Sequence, residues 1–119
     1  MIYLLQDVVD FLPLAVLNTS WDGDTLTFGG SSWRFSARCE WRVLAKNQLQ
    51  FSSISESGKM VERGLVGLSV VGVQSQSIHL IIDPAFEFSD GSVIEIFSVD
   101  TMDPWELQLP NRKLYMGGT

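Results

Sequence analysis

The sequence predicts an all-β fold: an antiparallel sandwich or partly open barrel built from two pseudo-repeated β-units, with one short N-terminal helix. Three observations carry this expectation. The first is a faint echo of the first half in the second. Leu14-Ala15-Val16-Leu17 is answered by Leu68-Ser69-Val70-Val71, Thr25-Leu26-Thr27-Phe28 by His79-Leu80-Ile81-Ile82, and Trp33-Arg34-Phe35-Ser36 by Phe86-Glu87-Phe88-Ser89. The offset stays at about 53 to 54 residues, just above the usual range of internal repeats. The second is a long alternation. Trp33, Phe35, Ala37, Cys39, Trp41 and Val43 share one parity, and Arg34, Ser36, Arg38, Glu40 and Arg42 share the other. Period-two patterning marks a half-buried strand, or a hairpin that keeps parity. The third is the run of short apolar segments with turn signals about every ten residues, the rhythm of sandwiches and barrels.

In chain order, Ile2 to Phe11 places Leu5, Val8 and Val9 at helical spacing, and Pro13 stops it. Leu14 to Asn18 reads as a strand. Trp21-Asp22-Gly23-Asp24 reads as a turn, because Asp-Gly tolerates positive φ. Thr25 to Phe28 is a strand broken by Gly29-Gly30-Ser31-Ser32. The alternating stretch bends near Ala37-Arg38, where the echo places Asp90-Gly91. Gln48 to Phe51 is a short strand, and the polar stretch from Ser52 to Gly64 is a loop joining the halves. Leu65 to Val73 and Ile78 to Ile82 are rich in β-branched residues. Phe86-Glu87-Phe88, Ser89-Asp90-Gly91-Ser92 and Val93 to Val99 form the strongest hairpin signal. Trp105 to Leu109 and Lys113 to Met116 close the chain, with Gly117-Gly118 as a tail. The 119 residues read as a single domain with halves at about 12–52 and 65–110.

Composition narrows function. The chain is 45% hydrophobic and only 18% charged, with mean hydropathy +0.16. So apolar a chain either has a dense core or buries surface against a partner. Net charge is −6, which disfavours nucleic acid and favours a basic partner. Cys39 is the sole cysteine, so an internal disulfide is excluded, in keeping with a cytoplasmic protein. Met1 to Asp10 carries Asp7 and Asp10 but no Lys or Arg, unlike a signal peptide. No apolar run reaches membrane-spanning length, so no membrane partner is expected.

No residue set prescribes catalysis. His79 is the only histidine. It has no partner His for a metal, and no nucleophile or motif joins it to nearby Asp83. Cys39 shares the parity of Phe35 and Trp41, so an inert buried thiol is expected. Acidic residues cluster at Asp7 and Asp10, Asp22 and Asp24, and Asp100 and Asp103. Asp22-Gly23-Asp24 lacks the ligand ladder and closing glutamate of a calcium loop. Glu87, Glu95 and Glu106 lie in strands, but nothing selects them as a hydrolase pair. No phosphate loop, nucleophile elbow or metalloprotease helix occurs, and no cofactor is expected. Arg34, Arg38 and Arg42 read as a basic stripe on one strand face. The stripe is either a grip for a carboxylate or phosphate, or cross-strand partners for Glu87, Glu95 or Glu106. Trp21 and Trp105 read as exposed interface anchors or as lids over one end of a barrel.

Trp41-Arg42-Val43 with Leu49 and Phe51-Ser52, Phe88-Ser89-Asp90-Gly91 with Glu95 and Phe97, and Pro104-Trp105-Glu106-Leu107 with Leu109-Pro110 resemble a loosely defined group of small uncharacterised bacterial β-rich proteins. The motifs span most of the chain after residue 40. Some similar small acidic proteins act as immunity proteins to toxins, and the resemblance carries no catalytic residues across. The expected function is a non-catalytic protein-interaction module, in its sharpest form an immunity-type inhibitor of a basic toxin. A homodimer seamed along an exposed edge strand is the self-partnered form. The alternative is a small-ligand β-barrel with Trp21, Trp105 and His79 at its mouth. An enzyme using Glu87, Glu95 or His79 is the least favoured reading.

Overall fold

Eleven strands in two antiparallel sheets make up the structure, a computed structural model that describes residues 1–79, 82–99 and 104–117. They are β1 (Leu14–Ala15), β2 (Asn18–Trp21), β3 (Leu26–Gly29), β4 (Arg34–Ala37), β5 (Glu40–Ala45), β6 (Gln48–Ser52), β7 (Ser69–Ser75), β8 (Pro84–Phe88), β9 (Val93–Phe97), β10 (Trp105–Gln108) and β11 (Leu114–Met116). The first sheet has the order β1-β7-β8-β9-β5-β6, the second β11-β10-β4-β3-β2. They form a sandwich and do not close into a barrel. Helix α1 (Ile2–Val8) runs into a 3-10 turn at Val9–Phe11.

The topology contains two units, interlocked. β2-β3-β4 is a meander followed by the hairpin β5-β6, and β7-β8-β9 is a meander followed by the hairpin β10-β11. Each hairpin joins the other unit's meander: β5 pairs with β9, and β10 pairs with β4. β8 is therefore the counterpart of β3, and β9 of β4, at an offset of about 60 residues. The sequence echo instead laid Trp33-Arg34-Phe35 on Phe86-Glu87-Phe88, matching β4 to β8. Alternating strands look alike after a slip of one strand, which is why the echo took that register. Of its middle member, Ile78 and His79 lie in bends, and Leu80 and Ile81 fall outside the described residues.

Turn chemistry acts where it was read. Asp22 Oδ1 accepts the N–H groups of Asp24 (2.8 Å) and Thr25 (2.7 Å), and Gly23 takes φ +95°. Asp90 Oδ1 accepts the Ser92 N–H at 2.9 Å and its hydroxyl at 2.6 Å, with Gly91 at φ +88°. The chain changes sheets at Arg38-Cys39, between β4 and β5. Other boundaries differ from expectation. Leu14 to Asn18 divides into β1 and β2, so Trp21 ends a strand instead of opening a turn. The 52–64 loop holds a 3-10 turn, Glu56–Met60, and helix α2, Val61–Gly64. Val61 and Leu65, one helical turn apart, are buried there. Gly117, read as tail, donates its N–H to the Trp105 carbonyl at 2.8 Å.

The core sits where the meanders face each other. Phe28 meets Phe35 at 5.1 Å and Phe86 at 5.3 Å between ring centroids, and Phe35 meets Phe86 at 4.7 Å. All three are fully buried. Ring pairs of this kind contribute about 0.5–1.5 kcal/mol beyond their buried area.

All four edge strands are blunted, as edges exposed to other chains need to be. β1 is two residues long. At β2, Glu62 Oε2 accepts the Trp21 N–H at 2.9 Å and the Lys59 ammonium donates to the Trp21 carbonyl at 2.9 Å. The two side chains pair with each other at 3.1 Å. At β6 a bulge falls between Val43 and Leu44 of its partner strand. Beyond it, the Ser55 hydroxyl serves the Ser52 N–H (2.9 Å) and carbonyl (3.0 Å). At β11, Tyr115 and Lys113 donate to Asp7 of α1.

Two predictions follow from the packing and the edges. Phe86→Ala will cost about 3–5 kcal/mol in urea unfolding, whereas Phe86→Leu will cost much less. The second concerns acid. The Trp21 N–H and then Lys59 hold Glu62 below its ordinary value of 4.5. Tyr115 and then Lys113 hold Asp7 below 3.8. A depressed folded pKa stabilises above the unfolded value and loses that stabilisation as pH falls through the folded one. Melting temperature will therefore drop on acidification below the ordinary carboxylate values, and Glu62→Gln will flatten part of that drop.

Candidate functional site

The crossing at Arg38-Cys39 divides the three arginines. Arg34 lies on β4 of the second sheet, Arg42 on β5 of the first, and Arg38 at the corner between them. They do not form one stripe on one face. Parity survives the corner, but the sheet changes beneath it. Two of the three are cross-strand partners. Arg42 Nε donates to Glu95 Oε1 at 2.6 Å and its guanidinium lies 4.8 Å from the Phe97 ring centre. Arg34 approaches Glu106 at 3.7 Å. Arg38 has no ion pair among the described residues, and its backbone N–H donates to the Pro104 carbonyl at 2.8 Å.

The tryptophans are interior, not exposed anchors: Trp21 is 9% and Trp105 2% accessible. They occupy one cross-strand row of the second sheet, running Trp21, Leu26, Ala37, Trp105. The two indoles thus cover one end of the core, three strand spacings, or about 14 Å, apart. Trp21 packs edge-on to Trp41 at 5.2 Å. Trp105 Nε1 donates to the buried carboxylate of Asp83 at 3.1 Å. Asp83 also accepts the Ser98 N–H at 2.7 Å and the Ser98 hydroxyl. His79 is exposed, its N–H bonded to the Ser77 hydroxyl at 3.1 Å. A ligand-barrel mouth built from Trp21, Trp105 and His79 therefore does not form. Sequence reasoning missed the interior role of Asp83, whose only signal was an acid preceding Pro84 at the start of an apolar strand.

The outer faces of the sheets differ sharply in chemistry. Alternation aims Ser20, Thr27, Ser36, Glu106 and Gln108 outward from the second sheet, and Thr27 and Ser36 share a hydroxyl hydrogen bond at 3.0 Å. From the first sheet it aims Ala85, Val93, Phe97 and Leu44 outward, beside Leu49 on β6. Leu49 is 61% and Ile54 84% exposed. A shallow groove of about 340 Å³ runs between Leu49, Ile54, Arg42 and Phe97. The outward charges on the strands of this sheet are Glu40, Glu87 and Glu95 against Arg42, which Glu95 already pairs; of these, Glu40 and Arg42 line the groove itself. Glu40 accepts the Ser53 hydroxyl at 2.5 Å, fixing the turn that carries Ile54.

Among the described residues, no three His, Cys, Asp or Glu side chains lie together as a metal site. Asp100 and Asp103, one of the acidic pairs in the sequence, fall outside the described residues. No helix among the described residues is long and apolar enough to cross a membrane. Comparison with known proteins returned no match among protein-family models, curated proteins or solved structures.

Cys39 is half-buried against the core, and burial, with the Asp83 carboxylate nearby, pushes its thiol up to about 12. Relative to a thiol at the ordinary value of 9.0, its thiolate fraction near neutral pH falls about a thousandfold. Labelling by a disulfide reagent will be correspondingly slow in the native protein and will recover the rate of a free thiol in urea.

Proposed function

We propose that this protein is a non-catalytic interaction module that docks a basic partner on the outer face of its first sheet. The single observation that carries the reading is the apolar outer face of that sheet, where Leu49 and Ile54 are exposed beside the half-buried Phe97 and the strands carry three outward glutamates to one arginine. Contiguous exposed apolar surface ringed by polar groups marks interaction sites. The excess of glutamate on this face and the net charge of −6 favour cations on the other side. The blunted edges favour association through this face over pairing along a strand edge. In the form that the resemblance to small bacterial β-rich proteins implies, the partner is a basic toxin.

The test is co-purification from the native cells of a tagged wild type and a tagged Leu49→Glu/Ile54→Glu variant, each at low and high salt. One stoichiometric basic protein held by the wild type, released by salt and not captured by the variant, is the expected result. A partner retained equally by the variant, or indifferent to salt, overturns the reading. Circular dichroism of the variant checks that it remains folded, which the exposure of both positions predicts.

A further inference from the structure

A second site lies on the opposite sheet, at the corner where β4 meets β10. A niche of about 220 Å³ is lined by Thr25, Ser36, Arg38, Pro104, Trp105 and Glu106. Its size is below the roughly 300 Å³ at which drug-sized ligand sites begin. It would hold about seven waters' volume, so it suits only a small molecule.

The charges in the niche are what distinguish it. Glu106 stands directly across from Ser36, with Arg34 and Arg38 two positions to either side along the chain. Glu106 reaches towards Arg34, at 3.7 Å, and not towards Arg38. Arg38 therefore lines the same small space as Glu106 without an ion pair to it. Two hydrogen bonds tie the base of the niche. The Arg38 N–H donates to the Pro104 carbonyl at 2.8 Å, and the Ser36 hydroxyl is tied to Thr27 at 3.0 Å.

We propose that this niche binds a small zwitterion of the α-amino-acid class. The ligand's carboxylate lies on Arg38 and its ammonium on Glu106. A guanidinium presents paired donors that match a carboxylate, and a carboxylate accepts the donors of an ammonium. A lone cation entering here meets Arg38, while Glu106, 3.7 Å from Arg34 in an exposed pair, keeps acceptor capacity for an incoming ammonium. Only a molecule carrying both charges satisfies both walls. The inference is independent of the docking face on the first sheet, and either stands without the other.

The experiment is a titration of the full chain with L-alanine, followed by amide chemical shifts. Acetate and methylamine serve as single-charge controls. Saturable shifts at Ser36, Arg38, Trp105 and Glu106 with L-alanine, and only weak shifts with either control, are expected. Arg38→Gln and Glu106→Gln will each weaken binding about tenfold or more, since each removes a charged hydrogen bond. Arg38→Gln will melt as the wild type does, because the guanidinium has no partner among the described residues. No saturable shift with L-alanine overturns the proposal. So does an equal response to acetate, or undiminished binding in both variants.

Discussion

The structure depends on the contact between the two meanders through Phe28, Phe35 and Phe86. Each sheet is apolar on the side that faces the other, and neither has a stable existence without a second layer to cover it. The three rings meet from both sheets within about one ring's width, as their centroid spacings of 4.7 to 5.3 Å show. Around them, Leu26, Phe88, Ile94, Ile96 and Leu107 complete a fully enclosed interior. The hairpin exchange follows from this centre. Once β3 and β8 are face to face, β4 and β9 expose their outer edges to the other unit, and the hairpins β10-β11 and β5-β6 fill those places.

Enclosing the core also decides what remains for association. The gap beside β2 is covered by the 3-10 turn and α2, whose Lys59 and Glu62 occupy the free backbone groups of Trp21. At β11, Asp7 of α1 gathers Tyr115 and Lys113. Both covers use charged side chains at strand edges, where an incoming strand would have to displace them. One surface left with exposed apolar side chains is a sheet face, the one carrying Leu49 and Ile54 beside the half-buried Phe97. Recognition on a face relies on side-chain shape and charge, where backbone pairing along a strand edge would rely on the ladder.

Much of this was legible in the sequence. Parity from Trp33 to Val43 named the inward residues correctly, because alternation depends only on the backbone pleat. Asp22-Gly23 and Asp90-Gly91 were legible because their turns use a side-chain acceptor and a positive φ that few residues supply. The split of the arginines was not, since a corner that keeps parity leaves no trace in the pattern. The β5–β6 turn was missed as well: Lys46 and Asn47 both take positive φ, 54° and 62°, and Lys is not a residue that signals it. Helix α2 hid in a polar stretch with only Val61 and Leu65 to mark its buried side. Trp21 and Trp105 were read by their neighbours in sequence, Asp22-Gly23 and Pro104, when cross-strand partners set their burial.

The two ion pairs at the unit junctions share a polarity that their energies do not explain. Arg34 and Glu106 meet where β4 joins β10, and Arg42 and Glu95 where β5 joins β9. In both, the first unit supplies the arginine and the second the glutamate. Pairs this exposed contribute about 0–1 kcal/mol each after solvent screening, too little to hold a sheet. Their effect is on partner choice. If the hairpin of one copy inserted into a like meander of another copy, arginine would face the first unit's own positions and glutamate the second's. Such like-charge neighbours across a strand pair are unfavourable. An exchange between copies that keeps β5 on β9 and β10 on β4 keeps both ion pairs, so the charges act on which unit a hairpin joins and not on which molecule. Asymmetric charge lets each hairpin distinguish the other unit from a copy of its own.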